Sequence, residues 1–334
     1  MALQNCDPAQ RRVFRRRLLR WFDVHQRRLP WRSTKDPYRI WLSEIMLQQT
    51  RVAAVLEHYR EFLRRFPDLR SLASAKPAAV LAAWSGLGYY RRARALHAAA
   101  RVVVRRHGGR FPSNVETLAS LPGIGDYTAA AVASIAFGER RAVVDGNVER
   151  VLQRLLGRLV RTRRQLWREA EQLLSPSRPG DFNQAMMELG ATVCLPRQPR
   201  CGDCLVVNWC ATRGPLPAEK KPATRRAKLV SYMLAENGRA VYLVRRSSSD
   251  PLMPGMWELP ALPPSDGRAK ASLLLRHSIT NTDYDVAVTH APVSAANGES
   301  APAVPGGRWV AAARLRSLPL TGLARKVLRR FEFL

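Results

Sequence analysis

Through residues 10–215 apolar positions recur every three or four residues, with polar positions between them that are mostly arginine. This spacing predicts helices over Val13–Val24, Ile40–Phe66, Pro77–Trp84, Ala93–Val104, Ala129–Phe137, Val148–Val160 and Gln165–Leu174. Short breaks rich in Pro or Gly part them, at Leu29-Pro30-Trp31, Phe66-Pro67, Gly108-Gly109 and Ser175-Pro176-Ser177-Arg178-Pro179-Gly180. Two longer breaks, Leu121–Asp126 and Ala142–Asn147, carry more specific residues. Beyond Cys210 the pattern changes. Residues 211–228 hold three prolines and several charges, as an exposed linker does. Period-two segments follow at Leu229–Ala235 and Arg239–Val244, around an Asn-Gly hairpin turn at Glu236-Asn237-Gly238. Asp285–Thr289 and Arg308–Val310 are two more expected strands, and Gly322–Arg330 is an expected closing helix. The expected fold class is a mainly α N-terminal domain followed by a small α+β domain.

A chain of 334 residues is long enough for two such cores. No run of about 18 apolar residues is present, so no membrane-spanning helix is expected. The first residues, with Cys6, Asp7 and then Arg11–Arg17, lack the apolar stretch of a signal peptide, which predicts a cytoplasmic, chromosome-associated protein. Net charge is +29, and 7 of the 55 cationic residues are lysine. That excess calls for a polyanion, and arginine forks suit phosphate. A membrane surface is the lesser expectation, because no basic amphipathic helix stands apart, and genome composition alone also raises arginine.

Four of the five cysteines fall within 17 residues, as Cys194-x6-Cys201-x2-Cys204-x5-Cys210, while Cys6 stands far away. Four thiolates suit tetrahedral zinc or a cubane cluster equally well by ligand type. Arg197 and Arg200 lie between the ligands, as solvated charge or as phosphate contacts. Leu121-Pro122-Gly123-Ile124-Gly125-Asp126-Tyr127-Thr128 places two glycines before a helix start. Their N–H groups can take a phosphate, although an ordinary helix–helix turn reads the same. Asp145, in Val143-Val144-Asp145-Gly146-Asn147-Val148, is by position a helix N-cap, yet the flanking valines suggest a partly buried carboxylate. Glu44 lies among large apolar residues, either on the solvated stripe of its helix or as a buried acid with a raised pKa. Tyr89 is a plain core aromatic or, between Gly86, Gly88 and Tyr90, part of a loop that approaches a ligand.

The cysteine spacing, the Leu-Pro-Gly-Ile-Gly hairpin and Asp145 together resemble the endonuclease III superfamily of DNA glycosylases. Leu29-Pro30-Trp31-Arg32, Pro37-Tyr38, Trp41–Thr50 and Trp84–Arg92 resemble one branch of it, the adenine DNA glycosylases of the MutY family. The resemblance implies a helix–hairpin–helix glycosylase domain over 1–215. A six-helix barrel would occupy about 30–137, and the N-terminal helix with about 138–213 would hold a [4Fe–4S] cluster on Cys194, Cys201, Cys204 and Cys210. It further implies a linker over 216–228 and a Nudix-like domain over 229–334, marked by Pro251–Pro260 but without the glutamates of Nudix catalysis.

In that family the glutamate matching Glu44 protonates the departing adenine and the aspartate matching Asp145 stabilises charge on the sugar. Tyr127 and Asn147 would position the sugar and Asp145. Relatives that also cut the strand have a lysine where Tyr127 stands, so a monofunctional enzyme is implied. Arg32, Leu47, Gln49, Thr50, Tyr89, Gly123, Gly125, Arg197 and Arg200 are the implied DNA contacts. Val288, Thr289 and His290 fall where a recognition loop for 8-oxoguanine is expected. The implied partner is double-stranded DNA with adenine opposite 8-oxoguanine or guanine, bound by a monomer. The alternatives are a relative specific for another base and a non-catalytic mismatch-binding protein.

Overall fold

The computed structural model describes residues 7–157, 162–216, 225–263, 271–279, 281–292 and 304–334. Cys6, the end of the expected helix to Val160 and residues 217–224 of the expected linker lie outside them. The chain forms two compact units, one of residues 1–59, 68–73 and 98–220, the other of 60–67, 74–97 and 221–334. Among the described residues, eleven α-helices precede the sheet: α1 (Pro8–His25), α2 (Pro37–Leu47), α3 (Val52–Arg65), α4 (Leu69–Ser74), α5 (Pro77–Ala83), α6 (Arg91–His107), α7 (Val115–Ala119), α8 (Asp126–Phe137), α9 (Gly146–Leu156), α10 (Arg163–Leu173) and α11 (Pro179–Thr192).

Local chemistry sets their ends. Asp7 and Gln10 cap α1 reciprocally, and Asp36 accepts from the Tyr38 N–H ahead of Pro37 to start α2. The expected single helix over 40–66 is two. The chain leaves α2 at Gln48 and turns through Gln49, whose φ is 57°, before α3 begins. Helix α11 was not expected, because Pro179-Gly180 reads as a break. Proline at the first helical turn is compatible with a start, and Phe182, Ala185, Met186 and Leu189 bury the helix.

Helix α11 packs on α1, α8 and α9. A Cβ on Gly180 would stand 2.5 Å from the Ser134 carbonyl, and one on Gly190 would stand 2.7 Å from Asn147 Cβ. The two glycines therefore let α11 lie against α8 and the start of α9. The core of this region joins Phe14, Leu18 and Phe22 of α1 to Val151 and Leu155 of α9, Phe182 and Leu189 of α11, and Trp209.

In the second unit the sheet strands are β1 (Arg226–Asn237), β2 (Ala240–Arg245), β3 (Trp257–Glu258), β4 (Ala261–Leu262), β5 (Leu273–Ile279), β6 (Thr282–Pro292) and β7 (Gly307–Ala311), with α12 (Ala312–Leu315) and α13 (Gly322–Arg330). Strand β1 starts at Arg226, inside the expected linker. The main order is β3-β2-β1-β6-β5, with β1 and β6 parallel and the other pairs antiparallel. Asn237 pairs with Ala240, so the hairpin turns on Gly238-Arg239 rather than on Asn237-Gly238, with glycine at φ 57°. Leu234, Val241, Leu243, Val286, Val288, Val327 and Leu328 form the core between sheet and helix.

Val288 meets one expectation and departs from another, since Asp285–Thr289 was an expected strand while the resemblance implied a recognition loop. It sits in the middle of β6 at 0% exposure, within that core, not on a loop. Period-two alternation along β6 places it inward with Val286, so it cannot probe a base. Thr289 and His290 belong to the same strand. The His290 ring lies 2.6 Å from a Glu236 carboxylate oxygen and packs against Phe331.

Candidate active site

One cavity of about 730 Å³ opens in the first unit, lined by residues of α2, α8, α9, α11 and the segments before α2 and α3. Helix α2 delivers Glu44 to its wall and buries it. The solvated-stripe alternative is therefore excluded for Glu44. Tyr127, in the first turn of α8, donates its hydroxyl hydrogen to Glu44 Oε2 at 2.7 Å and lies 3.5 Å from Met187 Sδ. Burial pushes the Glu44 carboxyl up to about 7, against the Tyr127 bond, and the nearby Asp145 charge adds to the rise. Tyr127 itself is held well above its ordinary value by burial and by the two carboxylates, so it stays a neutral donor.

Asp145 reaches the same cavity from the N-terminus of α9. Its Oδ1 accepts from the backbone N–H of Asn147 at 2.9 Å and of Val148 at 2.7 Å, while Oδ2 accepts from Asn147 Nδ2 at 2.9 Å. Capping and a cavity-facing carboxylate thus coexist. Asn147 is held in turn by Arg150, which donates to its Oδ1 at 2.9 Å and to the Gly190 carbonyl at 2.7 Å. The two carboxyl groups therefore face one space in unlike surroundings, Glu44 in an apolar wall and Asp145 among N–H donors.

Sequence reasoning missed a third carboxylate. Glu188 of α11 is fully buried and lines the cavity, accepting from Arg27 Nε at 2.8 Å, Arg27 Nη2 at 2.7 Å, the Arg27 N–H at 3.0 Å and Arg32 Nη2 at 2.7 Å. Burial would raise its pKa, but these donors outweigh burial and hold it down to about 2. The signal was present: residues 182, 185, 186 and 189 form an apolar helical stripe that puts 188 on its flank. Arg32, Leu47, Gln49 and Thr50 line the cavity as well. Gly123, with φ 72°, and Gly125, the uncapped N-cap of α8, leave the first-turn N–H groups without a capping side chain.

Cys194, Cys204 and Cys210 pack beside the core of α1, α9 and α11. Burial raises Cys201 and pushes Cys204 up to about 11, and the other thiols of the set add to both shifts. The four sulfurs are thus near neighbours. Among the described residues no group of three or more His, Cys, Asp or Glu side chains is arranged to hold a metal ion. Arg154, buried behind them, donates to Cys194 Sγ at 3.2 Å and to the carbonyls of Leu195 and Pro196 at 2.7 Å each. Arg197 and Arg200 are exposed on the same loop. Tyr89 belongs to the second unit, where it is 46% exposed with φ 48°. The core-aromatic alternative fails for it.

Residues 42–176 match the family described as HhH-GPD superfamily base excision DNA repair protein. The mouse adenine DNA glycosylase is 35% identical over 415 aligned positions, covering 98% of this chain and 79% of that protein. The human adenine DNA glycosylase is 48% identical over 221 positions, which cover 62% of this chain and 40% of that protein. Among solved structures, a thermostable thymine-DNA glycosylase superposes with a TM-score of 0.57 and 34% identity, over 61% of this chain and 96% of its own. Endonuclease III trapped covalently on DNA superposes with a TM-score of 0.55 at 20% identity, over 62% and 97%, and so shares the fold.

Proposed function

The chain belongs to the adenine DNA glycosylases, enzymes of base excision repair, and from that premise we propose that its cavity takes an adenine swung out of a mispaired duplex. The observation that carries this is the pair of carboxyl groups facing one cavity in opposite environments. An N-glycosidic bond lies inside the base stack, so the nucleotide has to leave the helix before any side chain reaches it. Glu44, with a pKa of about 7, holds a proton at neutral pH and gives it to N7 of adenine, which makes the base a better leaving group. Tyr127 keeps Oε2 engaged and aims the carboxyl. Asp145, with three N–H donors around it, faces the sugar as an anion and stabilises the oxocarbenium-like charge. Water then attacks, activated by Glu44 in its basic form.

Tyr127 offers no amine to form a Schiff base, so the strand is left uncut and the enzyme is monofunctional. Glu188, pinned by Arg27 and Arg32, supplies a fixed polar wall against which a flat base is oriented. Arg32, Leu47, Gln49, Thr50, Tyr89, the hairpin glycines 123 and 125, Arg197 and Arg200 are the proposed DNA contacts of the monomer. The partner strand carries 8-oxoguanine or guanine, read by the sheet domain through residues other than Val288.

The four cysteines fit a [4Fe–4S] cluster. Four thiols are the soft donor set that such a cluster takes, and those of Cys194, Cys201 and Cys210 sit close enough to Cys204 to raise it. Cys194, Cys201, Cys204 and Cys210 would hold it, and bound there it would tie down the loop that presents Arg197 and Arg200. Iron and acid-labile sulfide in equal amounts on the purified protein support this; zinc in their place overturns it.

The test of the whole reading is single-turnover base release from duplexes with adenine opposite 8-oxoguanine, guanine or cytosine, and with thymine opposite guanine. Adenine release that is fastest opposite 8-oxoguanine is expected, with Asp145→Asn still binding the duplex but releasing no base. Release of thymine alone would move the assignment to another base. Binding without any release would make the protein a non-catalytic reader.

A further inference from the structure

The second compact unit joins residues 74–97, from the helical part of the sequence, to the C-terminal sheet and its helices. The turn between α5 and α6 is therefore built with the sheet domain. Within that turn Gly86, Gly88 and Tyr89 all have left-handed backbones, with φ of 108°, 69° and 48°. A tyrosine rarely adopts this conformation, and it persists only where its surroundings over-determine it. Tyr89 nonetheless presents its ring to the surface.

Two sets of bonds hold the turn. From within, Trp84 Nε1 donates to the Gly88 carbonyl at 3.1 Å. Arg92 Nη2 donates to the carbonyls of Leu87 and Gly88 at 3.3 Å each, with its guanidinium 5.3 Å from the Tyr89 ring. From outside, the residues that bracket the strained stretch meet at one oxygen. Ser85 Oγ and Tyr90 Oη donate to the Leu320 carbonyl at 2.9 and 3.1 Å. Arg325 Nη1 of α13 donates to the Ser85 carbonyl at 2.8 Å, and Arg94 Nη2 donates to the Pro254 carbonyl at 2.5 Å.

The anchor is itself fixed. Trp257 of β3 donates to the Pro319 carbonyl and accepts from the Thr321 N–H, each at 2.9 Å, and Thr321 caps α13 through the Ala324 N–H at 3.1 Å. The loop is thus tied at both ends to a single carbonyl on a rigid corner of the C-terminal domain.

We propose that the C-terminal domain sets the conformation of Tyr89 through this latch, so that Ser85, Tyr90, Arg94 and Arg325 are positioning residues for the aromatic side chain that meets the opened duplex. The C-terminal domain then contributes to duplex binding at a point remote from any base it reads. This rests on the reading of Tyr89 as a DNA contact given above.

The test uses the full chain carrying Ser85→Ala with Tyr90→Phe, which removes both hydroxyls and leaves the Leu320 carbonyl unsatisfied. In the free protein, backbone amides of residues 86–90 should exchange hydrogen about tenfold faster, while those of α8 stay unchanged. Affinity for a duplex with adenine opposite 8-oxoguanine should fall about tenfold, and the same pair of substitutions should have no further effect in a Tyr89→Ala background. Unchanged exchange, or losses that simply add to that of Tyr89→Ala, would overturn the latch. Faster exchange with a Tyr89→Ala variant that binds as wild type would uphold the latch and remove Tyr89 from the DNA contacts. If the double variant does not fold, Ser85→Ala alone carries the same predictions at smaller size.

Discussion

Glu44 and Glu188 line one cavity, are both buried, and have pKa values displaced in opposite directions. The difference lies in their partners. Glu44 has one neutral phenol beside it and a carboxylate nearby, whereas Glu188 has two guanidinium groups within 2.8 Å. Raised from 4.5 to about 7, Glu44 favours the folded state only while protonated. Its contribution is complete below about 4.5 and is lost as pH rises through about 7. Glu44→Gln should therefore abolish adenine excision and yet stabilise the fold at pH 8 by on the order of 2 kcal/mol, with much less gain at pH 5. Denaturant unfolding at the two pH values checks this, and an equal gain at both would mean that burial is not what raises Glu44. Glu188, depressed to about 2, behaves in the opposite sense: its support is present above about 4.5 and fades as pH falls through about 2.

At the scale of elements, α11 brings Glu188 to the cavity and holds the start of α9, where Asp145 sits. Gly190 has no room for a side chain against Asn147. Gly190→Ala should push the two helices apart, cost about 1–3 kcal/mol of stability and slow excision by disturbing Asn147 and Asp145. Thermal unfolding and single-turnover rates measure both effects, and wild-type values in each would refute the close contact. Strand β6 gives the complementary case. Val288→Phe should cost a similar amount by overpacking the sheet core while leaving the preference for 8-oxoguanine over guanine unchanged. A shifted preference would place 288 at the base after all.

These two elements also mark where the sequence was and was not legible. Glu44, Asp145 and Tyr127 were singled out by the resemblance of the segments around them, since local pattern alone left Glu44 open to a solvated stripe and Asp145 to a plain helix cap; the structure brings all three to one cavity. Glu188 was not, because the Pro179-Gly180 that starts α11 has the composition of a loop, and only packing against Ser134 reveals why a glycine is needed there. Val288 was put at a recognition loop by resemblance alone, whereas the pattern of Asp285–Thr289 already read as a strand, and the structure follows the pattern. The break at Gln49 was hidden because Gln48-Gln49-Thr50-Arg51 is a polar run without Pro or Gly, which reads as the solvated face of one helix.

At the scale of the molecule, a net charge of +29 makes duplex binding a matter of phosphate neutralisation. Log affinity should fall linearly with log salt, by about 0.9 for each phosphate contacted, and Arg197→Ala or Arg200→Ala should flatten that slope without changing the order of preferred mispairs. A salt-independent affinity would contradict the arginine contacts. The division of labour between Glu44 and Asp145 is tested most directly by the pH dependence of single-turnover adenine release at saturating enzyme. The rate should fall as pH rises through about 7, as Glu44 loses its proton. A rate level from pH 6 to 9 (roughly one unit below and two above that midpoint), or wild-type release by Glu44→Gln, would contradict it.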